Sequence, residues 1–266
     1  PGNHEFDYGM EQFFKLAKKQ KTGYYSANFV NLPTNKLVLP PYKMMTFGKK
    51  KIAFLGATTP STFINSTPQF FQNEKGQFIY GFCEDKEGTK LYNQLQKYID
   101  QARGEGADYV VLVAHLGSDG SIPVWSSEAV IKNTTGIDVL IDGHSHELYE
   151  REVFNKKGEK VLLAQTGTKM KSVGKVEIND NGQITATLIK ELKDADPGVL
   201  KVIAKENKRF EKILNNPMSE TLVDLTIDDP VTGERRIRNG ETNLGDLVAD
   251  AYRNVLKTDV AMINGG

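Results

Sequence analysis

Cysteine occurs once in these 266 residues, at Cys83, so the chain can build neither an internal disulfide nor a cysteine-rich zinc site. Net charge is also missing, because 34 Lys and Arg balance 34 Asp and Glu. A binder of nucleic-acid polymer or of an anionic membrane needs a basic excess to release counterions, so neither partner is expected. No apolar run approaches the ~18 residues of a membrane span, and the longest, at residues 109–116, is the size of a strand. Internal repeats and low-complexity tracts are absent. With 39% hydrophobic and 26% charged residues, the composition suits a globular protein, and the length suits one large domain plus part of another.

The ends also lack something. The chain opens on Pro1-Gly2-Asn3 without an initiator Met or a leader, and closes abruptly on Asn264-Gly265-Gly266. Neither looks like a natural terminus. The expectation is an internal fragment, in which a missing leader says nothing about location.

Apolar spacing predicts a short helix within residues 8–20, a strand at 24–30, and a hairpin of 42–47 with 51–57 through Gly48-Lys49. Residues 58–81 form a long polar segment spotted with aromatics, of a size that is usually functional or mobile. Leu91, Leu95, Tyr98, Ile99 and Ala102 mark an amphipathic helix within 84–104. Buried-type strands at 108–114 and 137–141 flank a helix at 124–135, a cadence that places sites at strand C-termini. Strands at 151–154, 161–166, 173–178 and 184–192, separated by Gly- or Asn-bearing turns, read as an antiparallel series. The expected class is α+β. A charged helix follows at 197–214, opened by Asp196-Pro197 and closed by Asn215-Asn216-Pro217. Beyond it come a strand at 219–227, a helix at 243–256 capped by Thr242 or Asn243, and a strand at 260–263.

Histidine is scarce, and its placement carries the chemistry. His115 follows the apolar run 110–114. His144 and His146 sit in Asp142-Gly143-His144-Ser145-His146 after the run 139–141, and His4 sits in Gly2-Asn3-His4-Glu5-Phe6-Asp7. A single loop histidine is ordinarily a surface residue. Four of four in Gly-bearing loops, with strand C-termini converging on one edge, point to a metal site. Imidazole and amide oxygen without thiolate suit Zn, Mn, Fe, Ni or Co. A pair of cations that activates water and clamps a phosphoryl group also needs a bridging carboxylate. Asp7 is better placed to orient His4, which leaves Asp119 and Asp142 as candidates.

The stretches GNHEFDYG, AHLGSDG, DGHSH, ETNLGDLVADAYR and INGG closely resemble the calcineurin-like metallophosphoesterases. The branch is that of the bacterial 5′-nucleotidases, whose relatives include UDP-sugar hydrolases and 2′,3′-cyclic-nucleotide 2′-phosphodiesterases. The resemblance implies a four-layer α/β/β/α sandwich over residues 1–194, short of its N-terminal Asp-x-His and Gly-Asp motifs. It further implies a connector helix at 195–217 and, at 218–266, the start of the C-terminal substrate-binding domain. Two divalent cations are implied, with Asn3, His115 and His144 on one and His146 reaching the other. His4 takes the catalytic position beside the scissile phosphate, and Asp7 holds its tautomer. Arg238, with Arg235 and Arg236 beside it, matches an arginine that reaches substrate phosphate, and Asn264 matches an asparagine lining the nucleotide pocket.

The implied activity is hydrolysis of nucleotide phosphate esters, and the implied location is extracellular, periplasmic or cell-wall associated. Cleavage of cyclic nucleotides or UDP-sugars is the alternative within this resemblance. A metal-binding or surface-interaction module without turnover is the alternative outside it. Lacking the upstream ligands, the fragment itself is expected to be weakly active or inactive. Cys83 reads as an incidental thiol, and Asn243 as a helix start.

Overall fold

A computed structural model of the chain describes residues 1–118, 122–191, 194–237 and 239–263. Two compact units emerge, Pro1–Lys193 and Asp194–Gly266.

The first unit runs α1 (Gly9–Ala17), β1 (Val30–Asn31), β2 (Lys36–Leu37), β3 (Tyr42–Phe47), β4 (Lys50–Thr58), α2 (Thr62–Asn65), β5 (Tyr80–Gly81), α3 (Thr89–Gly104) and β6 (Tyr109–His115). It continues with α4 (Ser127–Asn133), β7 (Val139–Asp142), β8 (Leu148–Phe154), β9 (Lys160–Thr166), β10 (Val173–Ile178) and β11 (Ile184–Ile189). A six-stranded sheet has the order β3-β4-β6-β7-β9-β8. Its four inner strands are parallel, and the outer strands β3 and β8 run antiparallel to their neighbours.

The expected hairpin and both buried strands form. The antiparallel series forms only in part. β8 and β9 pair antiparallel, and so do β10 and β11, but β9 also joins β7 in parallel, Leu162 opposite Val139. Val161, Leu163, Ala164 and Gln165 are all buried, the two-sided burial of an inner parallel strand.

Residues 24–30 do not form the expected strand beyond Val30. The segment runs close against β4, where Ala27 N donates to the Gly56 carbonyl at 2.8 Å, but it extends no ladder there. A Cβ on Gly56 would fall 1.9 Å from the carbonyl oxygen of Tyr25, so only glycine permits the approach. Buried Asn28 then replaces ladder pairing. Its amide donates to the carbonyls of Thr58 (2.7 Å) and Phe82 (2.9 Å), and its oxygen accepts from Thr58 N (2.9 Å).

Helix α3 turns Leu91, Leu95, Ile99 and Ala102 inward, at the spacing of one helical face. They share a core with Leu55, Val110, Leu112, Leu140 and Leu163 of the sheet and with Val130 and Ile131 of α4. Each of the Leu, Ile and Val side chains stabilises the fold by about 1.5–3 kcal/mol on burial. A second core of Phe6, Phe13, Phe29, Phe71 and Phe82 meets the first at Phe63, which packs against both. Phe6 is fully buried at its centre, with four ring neighbours at 4.8–5.7 Å. This cluster anchors the 3-10 turn Asn3–Phe6 and with it Asn3 and His4.

In the second unit, α5 (Pro197–Leu214) starts where Asp196 Oδ1 accepts from Val199 N at 2.9 Å. α6 (Asn243–Leu256) starts where the Thr242 hydroxyl accepts from Gly245 N at 3.2 Å. Asn243 reaches back, donating to the Asp224 carbonyl (2.7 Å) and accepting from Thr226 N (2.8 Å), the structural role its helix-start position suggests. The strands expected at 219–227 and 260–263 do not form. Their composition suits strands, but a ladder needs a neighbour, and among the described residues this unit offers only the isolated bridge of Asp228 with Arg235. No helix among the described residues is long and apolar enough to cross a membrane.

Candidate metal centre

The C-terminal ends of the four parallel strands line up in one row. Thr58 of β4 pairs with His115 of β6, and Asp142 of β7 pairs with Gln165 of β9. This is the edge of an α/β sheet where ligands ordinarily bind.

Three of the proposed ligands come together there. His115 Nε2 lies 2.9 Å from Asn3 Oδ1, and the His115 and His144 rings are 5.0 Å apart between centroids, tilted at 58°. Small residues allow this crowding. A Cβ on Gly2 would come within 2.8 Å of the His115 imidazole, and one on Gly117 would come within 3.1 Å of His144 Cδ2. Gly117 also has φ +77°, a conformation that side chains rarely adopt. His144 and His146 have positive φ as well, 79° and 60°, strain of about 1–3 kcal/mol each that the surrounding contacts must hold. Burial first, and then the neighbouring His144, press the His115 pKa down to about 4. His115 is therefore neutral at physiological pH, as an imidazole ligand must be.

His4 lies at the exposed rim, its side chain 74% accessible, with Nδ1 2.8 Å from Asp7 Oδ2. This leaves the Nε2 side of the ring for a ligand. His146 is exposed on the same loop as His144, near enough to act electrostatically on His115. Among the described residues no group of three His, Cys, Asp or Glu side chains is gathered tightly enough to hold an ion unaided. What the chain presents is an amide oxygen with two imidazoles, a nitrogen and oxygen donor set that fits Zn, Mn, Co, Fe or Ni. Arg238, Asn264 and Asp119 lie outside the described residues.

Asp142 is corrected as a candidate bridging carboxylate. It is 8% exposed, and both of its oxygens are taken by main-chain donors, Oδ1 by Leu116 N and Oδ2 by Gly117 N, each at 2.9 Å. Burial raises its pKa to about 6, against the pull of the Leu116 and Gly143 amides and the Ser127 hydroxyl.

Two further residues escaped the sequence reading. Asn65 Nδ2 lies 3.5 Å from His144 Nε2 and donates to Ser61 Oγ at 2.9 Å. The length of the 58–81 segment was its only signal. Gln165, 1% exposed, supports the His144–His146 loop through Glu147 N (2.8 Å) and the Ser145 hydroxyl (3.0 Å from its Nε2). Nothing local to Gln165 announces that role.

A family model, the calcineurin-like phosphoesterases, matches residues 1–148, more than half of the chain. This chain belongs to that family. The chain is 25% identical over 286 residues to Endonuclease YhcR of Bacillus subtilis, covering 100% of this chain and 22% of that protein. It is 26% identical over 309 residues to a 5′-nucleotidase of Vibrio parahaemolyticus, covering 100% of this chain and 52% of the other. A 5′-nucleotidase precursor from Thermus thermophilus shares the fold, with a TM-score of 0.73 at 24% identity over 96% of this chain and 50% of that one. The chain thus spans from about a fifth to about half the length of these relatives. Its mixed α/β architecture is that of the metallophosphoesterase domain of 5′-nucleotidases, a hydrolase family.

Proposed function

We propose that this phosphoesterase hydrolyses nucleotide phosphate monoesters in the manner of a 5′-nucleotidase. The observation that carries the reading is the meeting of Asn3, His115 and His144 at one sheet edge, with Asn3 on the same turn as a histidine already oriented by a carboxylate.

Asn3, His115, His144 and His146 would hold divalent cations, two in the complete site. When bound, such cations supply an activated water and neutralise charge on the phosphoryl group. His4 faces the phosphoryl oxygens and, when protonated, gives its proton to the leaving ribose oxygen. Asp7 fixes the ring by accepting from Nδ1. Arg238 binds substrate phosphate and Asn264 lines the nucleoside pocket. In this reading residues 1–194 form the catalytic domain, 195–217 connect, and 218–266 begin the substrate-binding domain. The protein works outside the cytoplasmic membrane on small nucleotides rather than on nucleic-acid polymers.

The oriented but non-ligating His4 argues against a module without turnover, which has no use for such a pair. The test is phosphate release from AMP by the full-length protein, with and without Mn²⁺. Metal-dependent release that His4→Ala suppresses while metal stays bound supports the reading. No phosphate release from AMP or from other nucleoside 5′-monophosphates, with metal bound, defeats it.

A further inference from the structure

We infer that Asp142 is a positioning residue that sets the separation of His115 and His144. The inference rests on the metal-centre reading above and deepens it.

The β6–β7 ladder ends early, with Val113 opposite Ile141 as its last pair. Past that point β7 pairs only on its other side, Asp142 with Gln165. The two histidine-bearing segments therefore run on without main-chain pairing between them, although His115 still pairs with Thr58 on its other side. Side chains take over the task. Asp142 Oδ1 accepts from Leu116 N and Oδ2 from Gly117 N, both at 2.9 Å, directly after His115. Asp142 itself stands two residues before His144. One buried carboxylate thus spans both segments, with each oxygen on a separate donor. A weaker tie follows, from Ser118 N to Ser145 Oγ at 3.2 Å.

Two adjacent N–H groups demand two acceptors on one side chain. A carboxylate supplies them. An asparagine amide does not, because in either flip its NH2 confronts one of the two donors. An unmatched donor pair in a site that is 8% exposed must separate, and the 115–117 segment moves with it. The His115 and His144 rings, 5.0 Å apart, then lose their spacing.

Three measurements test this. In the unaltered protein the Leu116 and Gly117 amides should exchange with solvent at least 100-fold more slowly than open loop amides. Exchange at loop rates overturns the inference without any variant. In Asp142→Asn, Co²⁺ should bind at least tenfold more weakly, with a shifted visible absorption band. Leu95→Ala, which loosens the core at α3, should leave that band unchanged. Unaltered affinity and band in Asp142→Asn overturn the inference. Should the unaltered protein take up no Co²⁺, the metal-centre reading fails, and a nuclear Overhauser effect between the two rings in histidine-labelled protein still decides. Its disappearance in Asp142→Asn supports the positioning role, and its persistence overturns it.

Discussion

Asn3 Oδ1 and His115 Nε2 stand 2.9 Å apart although 112 residues separate them in the chain. Their approach brings a turn pinned by a phenylalanine cluster to the end of a buried parallel strand. Replacing either residue by Ala should weaken Mn²⁺ binding by more than the about 10–100-fold typical of changes outside the ligand shell. Titration calorimetry checks this, and unchanged binding in both variants would remove them from the ligand set.

His4→Ala should behave differently. The ring is 74% exposed and bonded to Asp7, so its loss should shift unfolding by only about 0.5 kcal/mol or less. Turnover of AMP should fall by about 10²–10⁴-fold, the usual contribution of a positioned proton donor, with bound metal unchanged. An emptied metal site in this variant would contradict the assignment.

Phe6 is fully buried among four rings, and Phe6→Ala leaves a cavity at the centre of that cluster. The expected loss is about 3–5 kcal/mol in urea unfolding. Metal affinity should drop as well, because the anchored turn carries Asn3.

Gly2→Ala tests the crowding around His115. Its Cβ would stand 2.8 Å from the ring, closer than real contacts allow, so the imidazole must move. Metal affinity should fall with little change in fold. Gly104→Ala, where a Cβ meets open space, serves as the control.

Burial, reinforced by the Glu84 carboxylate, pushes the Cys83 thiol up to about 12. Iodoacetamide should therefore label it slowly at pH 8 in the folded protein and rapidly in denaturant. An unfolded thiol ionises at about 8.5. The raised folded value makes this contribution to stability complete below that pH, and it falls away as pH rises from there toward 12. Rapid labelling of the folded protein at pH 8 would show the thiol to be accessible and ionised.

Elements whose cause lies within a few neighbouring residues were legible in the sequence. Leu91, Leu95 and Ile99 repeat at helical spacing, Asp196-Pro197 and Thr242 cap helices, and Gly48-Lys49 turns a hairpin. The histidines were legible too, since each has glycine close by in sequence, and His115, His144 and His146 follow apolar runs. Distant segments were not. Nothing local to residues 24–30 says that this extended piece will press its main chain against Gly56 without joining the ladder of β4, and nothing local to β9 says which strand lies on its far side.

The same boundary runs through the candidate site. Residue type and local pattern mark Asn3, His4, His115 and His144 as chemically interesting, because donor chemistry is a property of the side chain itself. Whether Asp142 bridges ions or straps two loops is another matter. It depends on which N–H groups face its oxygens, and Leu116 and Gly117 reach it only through packing of the sheet. Short-range order follows from steric and hydrogen-bonding preferences written into a few consecutive residues. Partnership across a hundred residues is settled by which surfaces bury together, and only the folded chain holds that answer.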